Sequence, residues 1–127
     1  MNLALWVSAW ALAVVACVGG VSKTFVPKEK LAAVRGGGWT EGVGARSVKA
    51  LGVLELLAAV GLVLPALLDK VPVLVPVTAA CWVLLMIGAM LTHGHRREFG
   101  FAVLNLAYLA LAAFIAWGRF GPESFTG

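Results

Sequence analysis

One acidic residue, Glu55, interrupts an otherwise uncharged apolar stretch of this sequence. A carboxylate inside such a stretch must pair with a cation, take up a proton or face a water-filled cavity, so it commonly marks a site for protons, ions or ligands. Asn105 lies in a second apolar stretch, and Tyr108 follows it by about one helical turn. We therefore predict a polar site around Glu55 and Asn105 that Tyr108 extends. The alternative is that these polar groups only lock helices together.

The positions of Glu55 and Asn105 along their helices favour direct contact. Counted from Ser47, Glu55 lies about 12 Å along its helix. Counted from Phe99, Asn105 lies about 9 Å along another helix. The two depths nearly match, which predicts a hydrogen bond between these side chains, worth about 0.6–2 kcal/mol in a bilayer.

A cluster of basic residues closes the third apolar stretch. His93 and Arg97 are four residues apart and would share a face if the helix continued through both. We predict that they meet the polar end of the Glu55 site, where a histidine can relay protons; lipid headgroups are the alternative partner. His93 and His95 have no obvious third ligand, so no metal site is expected. Nothing resembles a nucleophilic triad, so no catalytic residues are predicted.

Four long apolar stretches must position these residues. Hydrophobic residues make up 61% of the 127-residue chain, and its mean hydropathy is +0.97. About 20 apolar residues suffice to cross the hydrocarbon layer as a helix. A soluble bundle would need a polar face on each helix, and these stretches have none. We predict an all-α integral membrane four-helix bundle, a single domain over 1–127, with antiparallel up-down spans at about 3–22, 47–68, 72–92 and 99–118.

The basic residues predict the orientation of the bundle. Eight of the ten lysines and arginines lie on one side of the predicted spans and two on the other. The positive-inside rule then places loops 23–46 and 93–98 in the cytoplasm and both termini outside. Within the first loop a short interfacial helix is predicted at 27–35, since Pro27 suits a first helical position and Gly36 a stop. No nucleic-acid motif accompanies the basic residues, so nucleic acid is not an expected partner.

Several short motifs occur in a characteristic order along the chain. They are Gly20-x-x-Lys23, Pro27-Lys28-Glu29-Lys30-Leu31, Gly52-x-x-Glu55-Leu56, Gly61-Leu62-x-Leu64-Pro65, Met86-x-Gly88-Ala89-x-x-Thr92-His93, Arg97-Glu98, Asn105 and Ala116-Trp117-Gly118-Arg119. Together they cover nearly the whole chain, and their order and spacing resemble the DoxX-like family of small four-helix membrane proteins.

The resemblance implies a link to membrane redox systems. Some DoxX-like relatives are subunits of a thiosulfate:quinone oxidoreductase, and others associate with cytoplasmic redox enzymes. It also implies that Glu55, His93 and Asn105 belong to the recurrent polar set of the family. The two cysteines, Cys17 and Cys81, do not form a C-x-x-C pair, so dithiol redox chemistry by this chain alone is not expected.

Residues and resemblance together favour an accessory or quinone- or lipid-binding subunit of a redox system in a bacterial inner membrane, rather than an enzyme. Quinone is the cofactor implied, and the partners implied are the lipid bilayer and a membrane or cytoplasmic redox enzyme. Two alternatives stay open: a proton-coupled small-molecule transporter that uses Glu55, and a purely structural assembly protein. Small residues on spans one and four leave homo-oligomerisation open as well.

Overall fold

The computed structural model describes residues 2–33 and 37–124, and all of its regular elements are helices. Four of them are long. In chain order the elements are α1 (Asn2–Phe25), α2 (Lys28–Ala33), a 3₁₀ helix (Gly38–Gly42), α3 (Ala45–Leu67), α4 (Leu74–His95) and α5 (Phe99–Phe120).

The four long helices are membrane-spanning in length and composition. They contain 22 to 24 residues each, and their most apolar windows have a mean hydropathy of 2.0 to 2.2. Leu57, Leu84 and Val103 are among the many large apolar side chains on their outer surface that no other part of the chain covers. Such a surface suits lipid, so the prediction of an all-α integral membrane protein with four spans is confirmed. The direction of each span and the side on which the termini lie stay predictions.

The ends of the helices depart in detail from the sequence pattern. Pro65 lies inside α3, and the helix continues past it to Leu67. A proline removes only one hydrogen-bond donor, and the next turn closes with a 2.9 Å bond from Leu68 N–H to the Leu64 carbonyl. A short helix is observed at Lys28–Ala33, within the predicted range 27–35; its interfacial location stays a prediction, and its predicted stop at Gly36 lies outside the described residues.

The helices pack mainly in two pairs, α1 with α3 and α4 with α5. Contacts of α3 with α4 and of α1 with α5 join the pairs. The shared core combines alanines, three of them on α1, with larger apolar side chains from all four long helices. Its members include Ala9, Ala13, Ala16, Leu62, Ala79, Trp82, Met86 and Ile115. Small residues let helix axes approach closely where no hydrophobic effect drives association.

Two glycines produce the closest approach between α1 and α3. A Cβ atom added to Gly20 would lie 2.8 Å from the Gly52 carbonyl oxygen, and one added to Gly52 would lie 2.9 Å from that of Gly20. Neither position accepts a side chain without displacing backbone. The contact holds the last turns of α1 against the first half of α3, where the polar site lies.

Arg119 is a charged residue that the fold buries. It lies in the last turn of α5 and is 5% exposed. Its guanidinium carbon is 5.8 Å from the centre of the Trp6 ring, and its Nη1 donates a 2.9 Å hydrogen bond to the Glu123 carbonyl. The aromatic face and the carbonyls at the helix end both stabilise a cation.

Candidate functional site

Glu55 forms an ion pair with Lys23 between α3 and α1. The Nζ atom of Lys23 lies 2.9 Å from Oε2 and donates a 3.1 Å hydrogen bond to Oε1. Glu55 is 6% exposed, while the Lys23 side chain is 21% exposed. Sequence analysis placed Lys23 at the start of a loop, but α1 continues to Phe25. The buried carboxylate therefore has a helical cation as its partner, which offsets part of its desolvation cost.

The glycine contact between α1 and α3 positions this pair. Lys23 follows Gly20 by three residues, and Glu55 follows Gly52 by three residues. Residues three apart lie on the same face of a helix, so the crossing of the two glycines brings the two charged side chains together. A Cβ atom on Gly19 would lie 3.4 Å from both Lys23 Nζ and Glu55 Oε2. That is ordinary van der Waals contact, so Gly19 lies directly against the ion pair.

A cavity of about 390 Å³ opens beside the ion pair. Its wall combines polar groups with leucine, methionine and tryptophan side chains. The lining residues are Lys23, Trp39, Leu51, Glu55, Leu84, Leu85, Met86, Gly88, Ala89, Thr92, His93 and Asn105. Three residues of the predicted site, Glu55, His93 and Asn105, thus border one space. We call it the Glu55 cavity.

Asn105 borders the Glu55 cavity with an unused hydrogen-bond donor. Its Nδ2 atom is buried and has no hydrogen-bond partner among the described residues. The predicted hydrogen bond between Glu55 and Asn105 is therefore wrong, because the hydrogen-bond partner of the Glu55 carboxylate is Lys23. A cation is a stronger partner for a carboxylate than a neutral amide is. The Nδ2 donor of Asn105 therefore remains available to a ligand.

His93 is held in the wall of the Glu55 cavity by the turn between α4 and α5. Its Nδ1 lies 2.9 Å from Glu98 Oε1, and its ring stacks on Phe101 with the centroids 5.5 Å apart. An ionised carboxylate only accepts hydrogen bonds, so Nδ1 carries the hydrogen of this contact. Arg96 Nε lies 3.4 Å from the same Glu98 oxygen. The imidazole is thus oriented from outside the cavity, as histidines at functional sites commonly are.

The sequence model of the DoxX-like family matches residues 7–115. This chain belongs to the DoxX-like family. The matched range of this DoxX-like protein includes Lys23, Glu55, His93 and Asn105. No curated protein and no solved structure matches the chain.

Two residues of the predicted site lie away from the Glu55 cavity of this DoxX-like protein. Arg97 follows the end of α4 at His95 and has a left-handed φ of 60°. The helix therefore stops before His93 and Arg97 can share a face, and Arg97 borders a separate, open pocket with Phe99 and Phe101. Tyr108 is half-buried and packs against the apolar core. Its predicted extension of the polar patch is not observed.

Sequence analysis missed Lys23 and Trp39 as cavity residues. A signal for Lys23 was present, since both predicted helices carry a glycine three residues before a charged side chain. Trp39 had no comparable signal. It lies in the 3₁₀ helix of the first loop, and only the path of that loop brings it to the cavity.

The arrangement is suited to binding rather than to nucleophilic chemistry. Asn105 Nδ2 is an unpaired donor, Lys23 is a cation with further N–H groups, and Glu55 is an acceptor. Among residues 2–33 and 37–124, no group of three or more His, Cys, Asp and Glu side chains is placed to hold a metal ion. The DoxX-like protein thus offers donors and one acceptor around a mostly apolar cavity, a combination typical of sites for small, largely apolar ligands.

Proposed function

We propose that this DoxX-like protein binds the head group of a quinone in the Glu55 cavity, as an accessory subunit of a membrane redox system. The proposal rests on Asn105, which lines the cavity that also holds the Lys23–Glu55 ion pair and whose buried Nδ2 has no hydrogen-bond partner among the described residues. A buried donor without an acceptor costs about 1–3 kcal/mol. A ligand that brings an acceptor would recover that free energy.

A quinone head group matches the donors and the walls of the cavity. Its two carbonyl oxygens accept hydrogen bonds, and Asn105 Nδ2 and Lys23 Nζ are donors at the cavity wall. Its flat, weakly polar ring suits contact with Trp39 and Met86, since indole faces and thioether groups pack well on such rings. When the head group is reduced, its hydroxyls become donors, and Glu55 supplies the acceptor. When bound, the quinone would supply two-electron redox chemistry to a partner enzyme.

The dimensions of the cavity are also appropriate. Its volume of about 390 Å³ falls within the usual range for small-molecule sites, about 300–1,000 Å³. The cavity lies between helices that are apolar enough to cross a membrane. A lipid-soluble ligand would therefore reach it from the bilayer and would not have to pass through water.

The redox context and the location of the site are part of the same proposal. The context rests on the resemblance to DoxX-like redox subunits. The location rests on the basic residues near the cavity, among which Lys23, Lys49 and Arg96 belong to the side that the positive-inside rule assigns to the cytoplasm. The cavity would then lie in the inner leaflet of a bacterial inner membrane, within reach of a membrane or cytoplasmic redox enzyme.

Quinone that co-purifies with the protein tests the proposal. The protein is purified from membranes in a mild lipid-like detergent, and bound quinones and lipids are extracted and quantified by mass spectrometry. We expect quinone to be retained by the wild type and lost from Asn105→Leu. Leu106→Ala is the matched control because Leu106 lies on the same helix and is exposed to lipid. This variant is expected to retain the quinone.

The same preparations separate the alternatives. A wild type that retains no quinone, combined with acid-driven substrate flux in liposomes that Glu55→Gln abolishes, would replace the proposal by proton-coupled transport. A wild type that retains no quinone and carries no flux, with Glu55→Gln changing only thermal stability, would favour a purely structural assembly protein. Quinone retained equally by the wild type and Asn105→Leu would contradict the assignment of the site.

A further inference from the structure

We propose that the apolar tail of the quinone lies in a groove between α3 and α4, a proposal that rests on the function proposed above. This groove has a volume of about 310 Å³. Its lining residues are Leu51, Leu54, Leu57, Ala58, Val77, Thr78, Cys81, Trp82 and Leu85. We call it the α3–α4 groove.

The α3–α4 groove adjoins the Glu55 cavity. Leu51 of α3 and Leu85 of α4 line both spaces. Among the described residues these are the side chains that the two linings share, one from each helix, so they lie where the two spaces meet. A molecule with its polar end at Lys23 and Glu55 and its tail passing between Leu51 and Leu85 would enter the groove directly.

The shape of the groove suits a single chain of limited length. From Leu51 to Ala58 the rise along α3 is about 10 Å. Beyond this stretch α3 and α4 are in contact, because a Cβ atom on Gly61 would lie 2.5 Å from Thr78 Oγ1. The groove is thus bounded by the cavity on one side and by the Gly61–Thr78 contact on the other. It accommodates the tail segment next to the head group, and the remainder of a long tail would leave toward lipid.

The composition of the groove favours a hydrocarbon chain over a polar partner. Apart from Thr78, Cys81 and the indole of Trp82, its lining residues are aliphatic. In a bilayer the tail gains nothing from leaving water, so its preference for the groove depends on packing contacts and on attachment to the head group. Bulk acyl chains lack a head group that fits the cavity. We therefore expect the groove to hold the tail of the quinone whose head group lies in the Glu55 cavity.

Photochemical cross-linking maps the tail directly. A quinone with a diazirine on the tail segment next to the ring is added to the full-length protein in nanodiscs and irradiated, with and without excess unlabelled decylubiquinone. Mass spectrometry then locates the modified residues. We expect cross-links that the competitor suppresses at groove residues such as Leu54, Leu57 and Cys81.

Two cysteine substitutions provide a matched pair. Cys81 is exposed and lines the groove, whereas Cys17 is exposed on α1 and does not. Cys81→Phe places a ring in the groove and is expected to abolish the competitor-sensitive cross-links on α3 and α4. Cys17→Phe adds the same ring elsewhere on the lipid-facing surface and is expected to leave them unchanged.

The cross-linking results distinguish a failure of the groove assignment from a failure of the proposed quinone binding. Competitor-sensitive cross-links that map to α1 or α5 would overturn the groove assignment while the quinone site stands. Groove cross-links that excess unlabelled quinone does not suppress would show that the groove takes up the probe's tail as it would any acyl chain. This result would also overturn the groove assignment. If no cross-link anywhere responds to the competitor, the proposed quinone binding itself fails. The wild-type map alone decides these outcomes should Cys81→Phe not fold.

Discussion

Lys23→Met is expected to lower the free energy of unfolding by about 3–5 kcal/mol, because it leaves a buried carboxylate without its cation. Lys23 Nζ lies 2.9 Å from Glu55 Oε2, and Glu55 is 6% exposed. Its Oε1 accepts a hydrogen bond from the same ammonium group. Methionine matches the length of the lysine stem and removes the ammonium group, with both its charge and its hydrogen bond to Glu55. The free energy of unfolding is measured by denaturant titration in mixed micelles.

Removing the second charge tests the cause of this loss. The double variant Lys23→Met/Glu55→Leu is expected to regain most of the lost stability, since replacing a buried ion pair by apolar residues is often neutral or stabilising. Lys70→Met is the control, because Lys70 is exposed in the turn between α3 and α4. If Lys23→Met were as stable as Lys70→Met, the ion pair would not hold α1 to α3.

Asn105→Leu is expected to weaken binding of decylubiquinone at least about tenfold, the equivalent of one good hydrogen bond to the ligand. The amide Nδ2 is buried, borders the Glu55 cavity and has no hydrogen-bond partner among the described residues. Leucine keeps the branching and the number of side-chain heavy atoms and removes the donor. The dissociation constant is measured by titration of the protein in nanodiscs.

The free energy of unfolding of Asn105→Leu shows whether weaker binding results from the lost donor or from a destabilised protein. Because Asn105 Nδ2 makes no hydrogen bond that the substitution would break, Asn105→Leu is expected to be at least as stable as the wild type. A helix-locking role would instead lower stability and leave the affinity unchanged. Leu106→Ala serves as the control for affinity, since Leu106 is exposed on the same helix. An affinity that falls equally in both variants would point to a general perturbation of α5.

The four spans were predictable because each is an uncharged or nearly uncharged run of helical length. The ion pair was not predicted, since Lys23 follows directly after such a run and charge alone suggests a loop. In the structure α1 extends past it to Phe25. The helix tolerates the lysine because its ammonium group finds Glu55. The helix then ends at Phe25, two residues before Pro27, because a proline disfavours the helical conformation of the residue that precedes it. The ion pair thus explains why the lysine is tolerated within α1, and the local sequence explains where α1 ends.

The matching depths of Glu55 and Asn105 along their helices correctly predicted that they lie at one site, but not which residue pairs with Glu55. Glu55 and Asn105 border the same cavity, as their matching depths suggested. Depth gives no information about competing partners, and the lysine that pairs with Glu55 comes from a third helix. Arg97 shows a different limit. Its left-handed backbone belongs to the turn between α4 and α5, and a four-residue spacing predicts a shared face only while the helix continues.

In the proposed complex, Asn105 donates a hydrogen bond to a quinone carbonyl in the Glu55 cavity. Infrared difference spectroscopy of an isotope-labelled quinone bound to the protein tests it most directly, because a carbonyl that accepts a hydrogen bond absorbs at lower frequency. With the wild type we expect a carbonyl band at lower frequency than that of quinone in lipid. With Asn105→Leu we expect the band to return toward the lipid position. A band that stays at the lipid position with the wild type, or one that is shifted equally in both proteins, would contradict it.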